Sequence, residues 1–313
     1  AALAVRRSAD DPAKALFMGV AAHAFNRLDG PLSSSVGTML AAAAHAVGWP
    51  VAEGGTEAIT RALLATLSEL GGKVITGTRV TSLEMLRDLI GERPDVVILD
   101  TAPAGALEIV GDRLPGRVRR GLTRYTYGPA AFKVDFAIEG DIPWRNEDCR
   151  RAGTLHLGGS AEQVARIEAG TVRGEMADQP FVLLGQQYLF DPSRSSGSTN
   201  PIYAYAHVPH GYSGDATEAI IGQVERFAPG FRDRIIATST RGPAQFEAYN
   251  ANYVGGDISA GANTMRQILL RPRLAADPYS LGVPGVYLCS AATPPGAGVH
   301  GMGGFNAAQA ALA

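Results

Sequence analysis

Basic clusters, long apolar runs and paired cysteines are all scarce in this sequence. Its 28 Lys and Arg stand against 30 Asp and Glu, a formal net charge of −2, and no block of basic residues appears. Nucleic acid is therefore not an expected partner. The most apolar helical run, Met39 to Trp49, is too short to cross a bilayer and contains His45. The start, "AALAVRRSADDPAKAL", carries no signal-peptide pattern. The two cysteines, Cys149 and Cys289, lack metal or redox spacing and read as reduced thiols of a cytoplasmic protein. His-Glu-x-x-His, paired Cys-x-x-Cys, the Walker loop and Gly-x-Ser-x-Gly are missing, and with them the usual zinc, nucleotide and hydrolase signatures. His207 and His210 in "HVPHG" could ligate a metal, but such a strand-end pair is more often structural, so no metal is expected. A chain this poor in acid/base groupings suggests that a cofactor carries the chemistry.

What is present suits one large or two ordinary domains: 313 residues, 46% of them hydrophobic. The chain starts on apolar residues and ends inside a helical pattern, "NAAQAALA", which gives the expectation of a longer polypeptide. Residues 12 to 48 read as helical, with a break at Asp29, Gly30 and Pro31. Ile59, Leu63, Leu67 and Leu70 repeat at helical spacing after Thr56, a candidate cap, and Gly71 and Gly72 stop that helix. Lys73 to Val80 reads as a strand, and Thr81 with Glu84 as a capping box for a short helix. "DVVILD" is a continuous apolar run that fits a strand buried on both faces.

The middle alternates instead. Phe132, Val134, Phe136 and Ile138 share one strand face, and Ile202, Ala204, Ala206 and Val208 share another, opposite Tyr203, Tyr205 and His207. "FVLLGQQYLF" is a further strand candidate, and Gly158, Gly159 and Ser160 read as a turn. Thr217 to Ala228 reads as a helix with Ile220, Ile221, Val224 and Phe227 on one face. A half-covered, antiparallel sheet with helices is expected here.

The tail holds the most informative text. Gly296, Gly298 and Gly301 spell G-x-G-x-x-G after a plausible strand at Val286 to Cys289. In a dinucleotide fold the glycines follow their strand directly, and a second strand follows within about 30 residues. Here Ser290 to Pro295 intervene and the sequence stops at Ala313, so a pyrophosphate fingerprint is rejected. A glycine-rich loop entering a helix near Val299 remains. Its amides would attract electron-rich ligand atoms, and a tight loop packed on a neighbouring element explains the glycines equally well.

"VPGVYLCSAATPPGAGVHGMGGFNAAQAAL" resembles the end of phytoene desaturase-like, FAD-dependent oxidoreductases, distant relatives of the amine oxidases. "AAAAHAVGWPVAEGGTEAITRAL", "GGKVITGTRVTSL", "DVVILDTAP", "YGPAAFKVDFAI", "HVPHG", "ERFAPGF" and "YNANYVGGDI" extend the resemblance over nearly the whole chain. It implies a mixed α/β (α+β) fold: a partial, Rossmann-like FAD-binding domain at 49–111 and 282–313, and a substrate domain at 1–48 and 112–281 built on a mixed or antiparallel sheet. The family's N-terminal dinucleotide fingerprint is not in this sequence, so an N-terminal βαβ unit is expected to be missing, and the chain alone is expected to be inactive. Gly303 stands where relatives often carry Cys.

Carried over by motif, the resemblance implies FAD contacts at Val80, Thr101, Pro103, Ser290 and Ala291, the last two where many flavoproteins place an acid. Gly298, Val299, His300, Gly301 and Met302 would border the flavin, with the helix start stabilising negative charge on the reduced ring. Gly54, Gly55, Thr56 and Glu57 would border the substrate cavity, and Tyr203 and Tyr205 could line it or face solvent. Hydride transfer to flavin N5 needs positioning and a dry, apolar cavity more than a strong base. His300 is the catalytic candidate, as donor or proton relay, against a histidine that merely caps the loop. The implied substrate is lipophilic, an isoprenoid being one candidate, with the electron acceptor and oligomeric state open. The expected location is the cytoplasm, with peripheral membrane contact left open. The competing reading is a non-catalytic lipid- or partner-binding member. An amine oxidase is disfavoured because no aromatic pair flanks "HGMGG".

Overall fold

The structure, a computed structural model, describes residue 1, residues 10–30 and residues 33–313. Pro31, part of the expected helix break, lies outside the described residues. The strands are β1 (Val97–Leu99), β2 (Ala130–Glu139), β3 (Thr154–Leu157), β4 (Val182–Gly185), β5 (Thr199–Val208), β6 (Ile235–Arg241), β7 (Ser280–Val283) and β8 (Val286–Leu288). The fold is mixed α/β and divides into two compact units. One comprises Ala1–Thr76, Ala131–Pro209 and Ser213–Gly242; the other comprises Gly77–Ala130, His210–Tyr212 and Pro243–Ala313.

The first unit is built on a five-stranded sheet in the order β3-β4-β5-β2-β6. The pairs β3/β4, β4/β5 and β2/β6 are antiparallel. Alternation sets the faces: Phe132, Val134, Phe136 and Ile138 are buried, and so are Ile202, Ala204, Ala206 and Val208. The strand expected through Phe190 stops at Gly185 and gives way to a 3-10 turn at Gln187–Leu189. The Gly158-Gly159-Ser160 turn is a helix entry, since the Ser160 side chain accepts the Gln163 amide at the start of Ala161–Val172. Met18, Leu28, Val164, Ile167 and Phe181 form a core between that helix and Asp11–Ala21. Helix Thr217–Phe227 buries Ile220, Ile221 and Val224; Phe227 is half-buried, and Gln223 is buried too, donating to the Leu157 carbonyl at 2.9 Å.

Helix Glu57–Glu69 forms as its periodicity predicts, but Thr56 makes no side-chain cap bond and no residue of the helix is buried. Ile59, Leu63 and Leu67 stay exposed, Leu63 by 67%. Lys73 to Val80 forms no strand and joins neither sheet.

The second unit carries a three-stranded sheet in the order β1-β8-β7. β1 runs parallel to β8, with Leu99 opposite Leu288, and β7 runs antiparallel to β8. Leu99, Ile109, Val118, Leu281 and Leu288 fill its core. The "DVVILD" strand is buried on one face only: Leu99 is inside and Ile98 exposed, because the core of this unit packs against the face that carries Val97 and Leu99. Ser82, not Thr81, caps helix Leu83–Ile90 by accepting the Met85 amide. The last helix, Met302–Leu312, starts three residues later than the sequence suggests. No helix of the described residues is long and apolar enough to cross a membrane.

Candidate functional site

Parallel pairing of β1 and β8 brings two candidate loops to one sheet edge. The Cys289 amide donates to the Leu99 carbonyl at 2.9 Å, so the chain leaves both strands at their carboxyl ends. That edge is where parallel sheets take ligands. Thr101 and Pro103 follow β1, and Ser290 and Ala291 follow β8. Pro103 opens helix Pro103–Val110, and Asn252 Oδ1 accepts the neighbouring Ala102 amide at 2.8 Å. Thr101 Oγ1 is buried with no hydrogen-bond partner. Val80 is half-buried against the Leu99 core.

The loop after β8 is held from within. Ser290 Oγ accepts the Ala292 amide at 3.2 Å, and its carbonyl accepts from the amide and hydroxyl of Thr293. Its side chain is therefore committed to the turn. Arg271, which is buried, donates to the Ala291 carbonyl at 3.0 Å, to Asn263 Oδ1 at 2.9 Å and to the Gln267 carbonyl at 3.2 Å. A Cβ at Gly296 would lie 2.9 Å from the Arg271 guanidinium, and one at Gly298 would lie 2.7 Å from the His300 ring. These glycines make room for their own loop, which is how a G-x-G-x-x-G arises here without a pyrophosphate turn. Tyr279 completes the frame, donating its hydroxyl to the Pro294 carbonyl at 3.0 Å and accepting from Asn306 at 2.8 Å.

The loop ends at a helix start. Gly301 takes the left-handed conformation at φ +65°, and the Met302 amide donates to His300 Nδ1 at 3.1 Å. His300 thus caps the helix through Nδ1 and carries its own proton on Nε2. Gly303 and Gly304 have no intrahelical acceptor for their amides. Gly298 through Met302 are exposed, Val299 by 96%. Burial and the charge of Asp100 push the Cys289 thiol up to about 11, so it stays protonated.

The substrate-cavity candidates lie in the first unit. The Gly54 amide donates to Asp191 Oδ2 at 2.9 Å; Arg194 Nε reaches the same oxygen at 3.0 Å and its Nη2 reaches the Ala52 carbonyl at 3.3 Å. This pins the Gly54-Gly55 bend ahead of exposed Thr56 and Glu57. Tyr203 sits opposite Gly185, accepts from Gln187 at 3.3 Å and has Lys133 Nζ 5.7 Å from its ring. Tyr205 packs beside the Phe25–His207 ring pair, its ring 6.3 Å from that of Phe25 and 5.9 Å from that of His207. Both tyrosines are half-buried rather than open to solvent, and burial pushes both phenols up.

Beside them lies a histidine cluster that the sequence did not reveal, since its members are far apart in the chain. His207 Nδ1 donates to the buried Glu168 carboxylate at 2.9 Å, while its Nε2 is buried without a partner. His23 Nε2 and His156 Nε2 are hydrogen-bonded, and burial pushes both rings well below the usual histidine range. His156 also lines a cavity of about 660 Å³ whose walls are largely apolar, among them Leu16, Phe17, Trp49, Leu155 and Phe181. In the second unit, His210 donates to the Gly128 carbonyl at 2.9 Å and stacks on Tyr127. Among the described residues, no group of three or more His, Cys, Asp or Glu could hold a metal ion. Asp257 also escaped sequence reasoning: it is buried and accepts the amides of Gly128, Ser259 and Gly261. Burial pushes its carboxyl up.

No family model matches the chain. It is similar to two curated proteins named pyridine nucleotide-disulfide oxidoreductase domain-containing protein 2. Identity to the Mus musculus protein is 22% over 298 residues, covering 83% of this chain and 50% of that protein. Identity to the Rattus norvegicus protein is 24% over 273 residues, covering 83% of this chain and 42% of that protein. The chain therefore spans about half the length, or less, of these relatives. In fold it is similar to the crystal structure of an oxidoreductase from Methanosarcina mazei, with a TM-score of 0.59 at 12% identity, covering 100% of this chain and 71% of that one.

Proposed function

We propose that the whole protein is an FAD-dependent oxidoreductase of the phytoene desaturase-like kind, passing a hydride from a lipophilic, isoprenoid-like substrate to flavin N5. The observation that carries this reading is the joint departure of the Thr101 and Ser290 loops from the carboxyl edge of β1/β8 onto a helix start. The oxidoreductase names of the relatives support the class.

The residues fit the cofactor. Thr101 Oγ1 is a buried polar atom without a partner, and the amides at Gly303 and Gly304 lack acceptors within their helix. Val80, Thr101, Pro103, Ser290 and Ala291 would hold the dinucleotide arm, the last two through the turn they build. Gly298, Val299, His300, Gly301 and Met302 would hold the ring end, where bound FAD supplies the hydride acceptor. The helix start favours negative charge there, and His300 keeps an Nε2–H to donate. In the first unit, Gly54, Gly55, Thr56, Glu57, Tyr203 and Tyr205 are the groups proposed to meet substrate. The apolar cavity by His156 suits a lipophilic molecule. The assignment of 49–111 and 282–313 to flavin, and of the rest to substrate, belongs to the proposal. So do a cytoplasmic location and peripheral membrane contact.

The test is the colour of the full-length protein. Purified protein should show a flavin spectrum that bleaches anaerobically on addition of a lipid extract. A colourless protein that binds lipid but takes up no FAD would replace this reading with the non-catalytic one.

A further inference from the structure

The second unit contains a cavity of about 740 Å³ that the flavin reading does not use. Arg117, Arg120, Arg124, Arg266 and Arg273 line it, and Asp277 is the one acid among its lining residues. The first three repeat at helical spacing along Gly116–Thr123 and its C-cap, so they share a face. Arg273 lies across that helix at Gly121, where a Cβ would come 2.9 Å from the Arg273 Cβ.

Among the described residues, none of these five arginines forms an ion pair, and the single acid beside them, Asp277, faces five positive charges. In the same stretch, Arg113 pairs with Glu84, and Arg119 with Asp112 at 2.9 Å. Among the described residues, no carboxylate oxygen lies within 4.0 Å of any of the five. Asp277 Oδ1 is taken by the amides of Tyr279 and Ser280 at 2.9 and 3.2 Å. Arg273 donates through Nη2 to the Ser280 carbonyl, but its Nε is buried with no acceptor. Burial and the nearby charge of Arg117 push the Arg273 guanidinium down. Like charges three and four apart disfavour a helix, and Arg117 in the first turn opposes the dipole. A bound anion relieves both.

We infer that this cavity binds an organic diphosphate whose remaining part is apolar. The planar guanidinium fork matches phosphate oxygens two at a time, and five such groups exceed what a single phosphate uses. The volume falls in the range of small-molecule sites and exceeds what a bare diphosphate fills. Leu270, Leu274, Ala275 and Ala276 wall the remainder. This inference stands apart from the flavin reading.

Calorimetric titration of the chain with inorganic pyrophosphate and with geranyl diphosphate, at fixed ionic strength, tests it. Both should bind saturably at one site, geranyl diphosphate more tightly. The double variant Arg117→Gln/Arg124→Gln, at exposed positions, should keep its circular dichroism and lose tenfold or more in affinity for both. Arg273→Lys, which keeps the charge but not the fork, should weaken both as well. Binding that the double variant leaves unchanged, or that sulfate matches, would overturn the site. Equal affinity for the two probes would remove the apolar part of the ligand. Association with phosphatidylglycerol vesicles without uptake of either free diphosphate would overturn the inference in favour of a membrane surface.

Discussion

His23 Nε2 and His156 Nε2 face each other at 2.8 Å, with their rings edge-to-face at 4.9 Å. One nitrogen must donate and the other accept, so at least one ring is neutral, and burial keeps both neutral near pH 7. Burial is the main cause of the lowered pKa of each, and the charge on neighbouring histidines adds to it. Protonating either ring would break the shared bond or place a charge beside an apolar cavity.

A pH dependence follows, with its sign fixed. The unfolded chain takes up protons on its histidines below about pH 6.5, whereas folded His23 does so only near pH 4. Between those values the unfolded state binds more protons, so stability falls as pH is lowered through the window. The slope approaches about 1.4 kcal/mol per pH unit for each histidine involved. Urea unfolding followed across this range should show it, and His23→Gln should lessen it, leaving the share of His156. A wild-type stability that does not change over the window would refute the neutral-pair description.

The Glu168–His207 contact gives a second test. Glu168→Ala leaves the His207 Nδ1–H buried without its acceptor, and should cost about 3 kcal/mol or more. Glu168→Gln keeps an acceptor oxygen and should cost clearly less. Equal losses for the two variants in equilibrium unfolding would mean that packing, not the hydrogen bond, sets the requirement.

The sequence made the two-residue period of β2 and β5 legible, because one face of each strand is buried and the pattern records it. It made the Glu57–Glu69 helix legible too, but not that its apolar face would lie uncovered. That the strands at Val97 and Val286 belong to one α/β region was legible from their patterns, but not that they pair in parallel. What could not be read are contacts whose partners are distant in the chain. Asp257 reaches the Gly128 amide across 129 positions, and His23 reaches His156 across 133. Arg271 looks like any surface arginine until the loop at Ala291 folds over it. The Lys73–Val80 stretch has strand-forming residues but joins neither sheet, and propensity without a ladder does not make a strand.

Gly303 separates packing from conformation. A Cβ there would meet the Cys289 carbonyl oxygen at 2.2 Å, whereas Gly304 has open space. Gly303→Ala should push the Met302–Leu312 helix off β8 and cost about 1–3 kcal/mol. Gly304→Ala should be neutral or slightly stabilising. In the full-length protein the first variant should also lose FAD. Equal stability of the two variants would contradict the contact at Cys289.

Replacing Gly298 or Gly301 by valine tests the ring-end placement directly. Gly298 has φ +153° and Gly301 has φ +65°; a side chain at 298 would also collide with the His300 ring. Both variants should release FAD from the full-length protein, measured as bound flavin per chain. Full occupancy in both would remove the flavin from this loop.

His300 can be divided into its two nitrogens. Nδ1 caps the helix, and Nε2 is free to act on a ligand. His300→Ala should lose the cap, at about 0.5–2 kcal/mol. It should keep FAD in the full-length protein yet slow flavin reduction, within the roughly 10²–10⁴-fold range of a general acid or base. His300→Asn supplies a side-chain acceptor for the Met302 amide but no imidazole Nε2–H. It should therefore regain stability without regaining the reduction rate. Rapid-mixing absorbance of the flavin band, alongside thermal unfolding, reads both quantities on the same samples. If asparagine restores both, His300 is a cap alone and has no part in the chemistry.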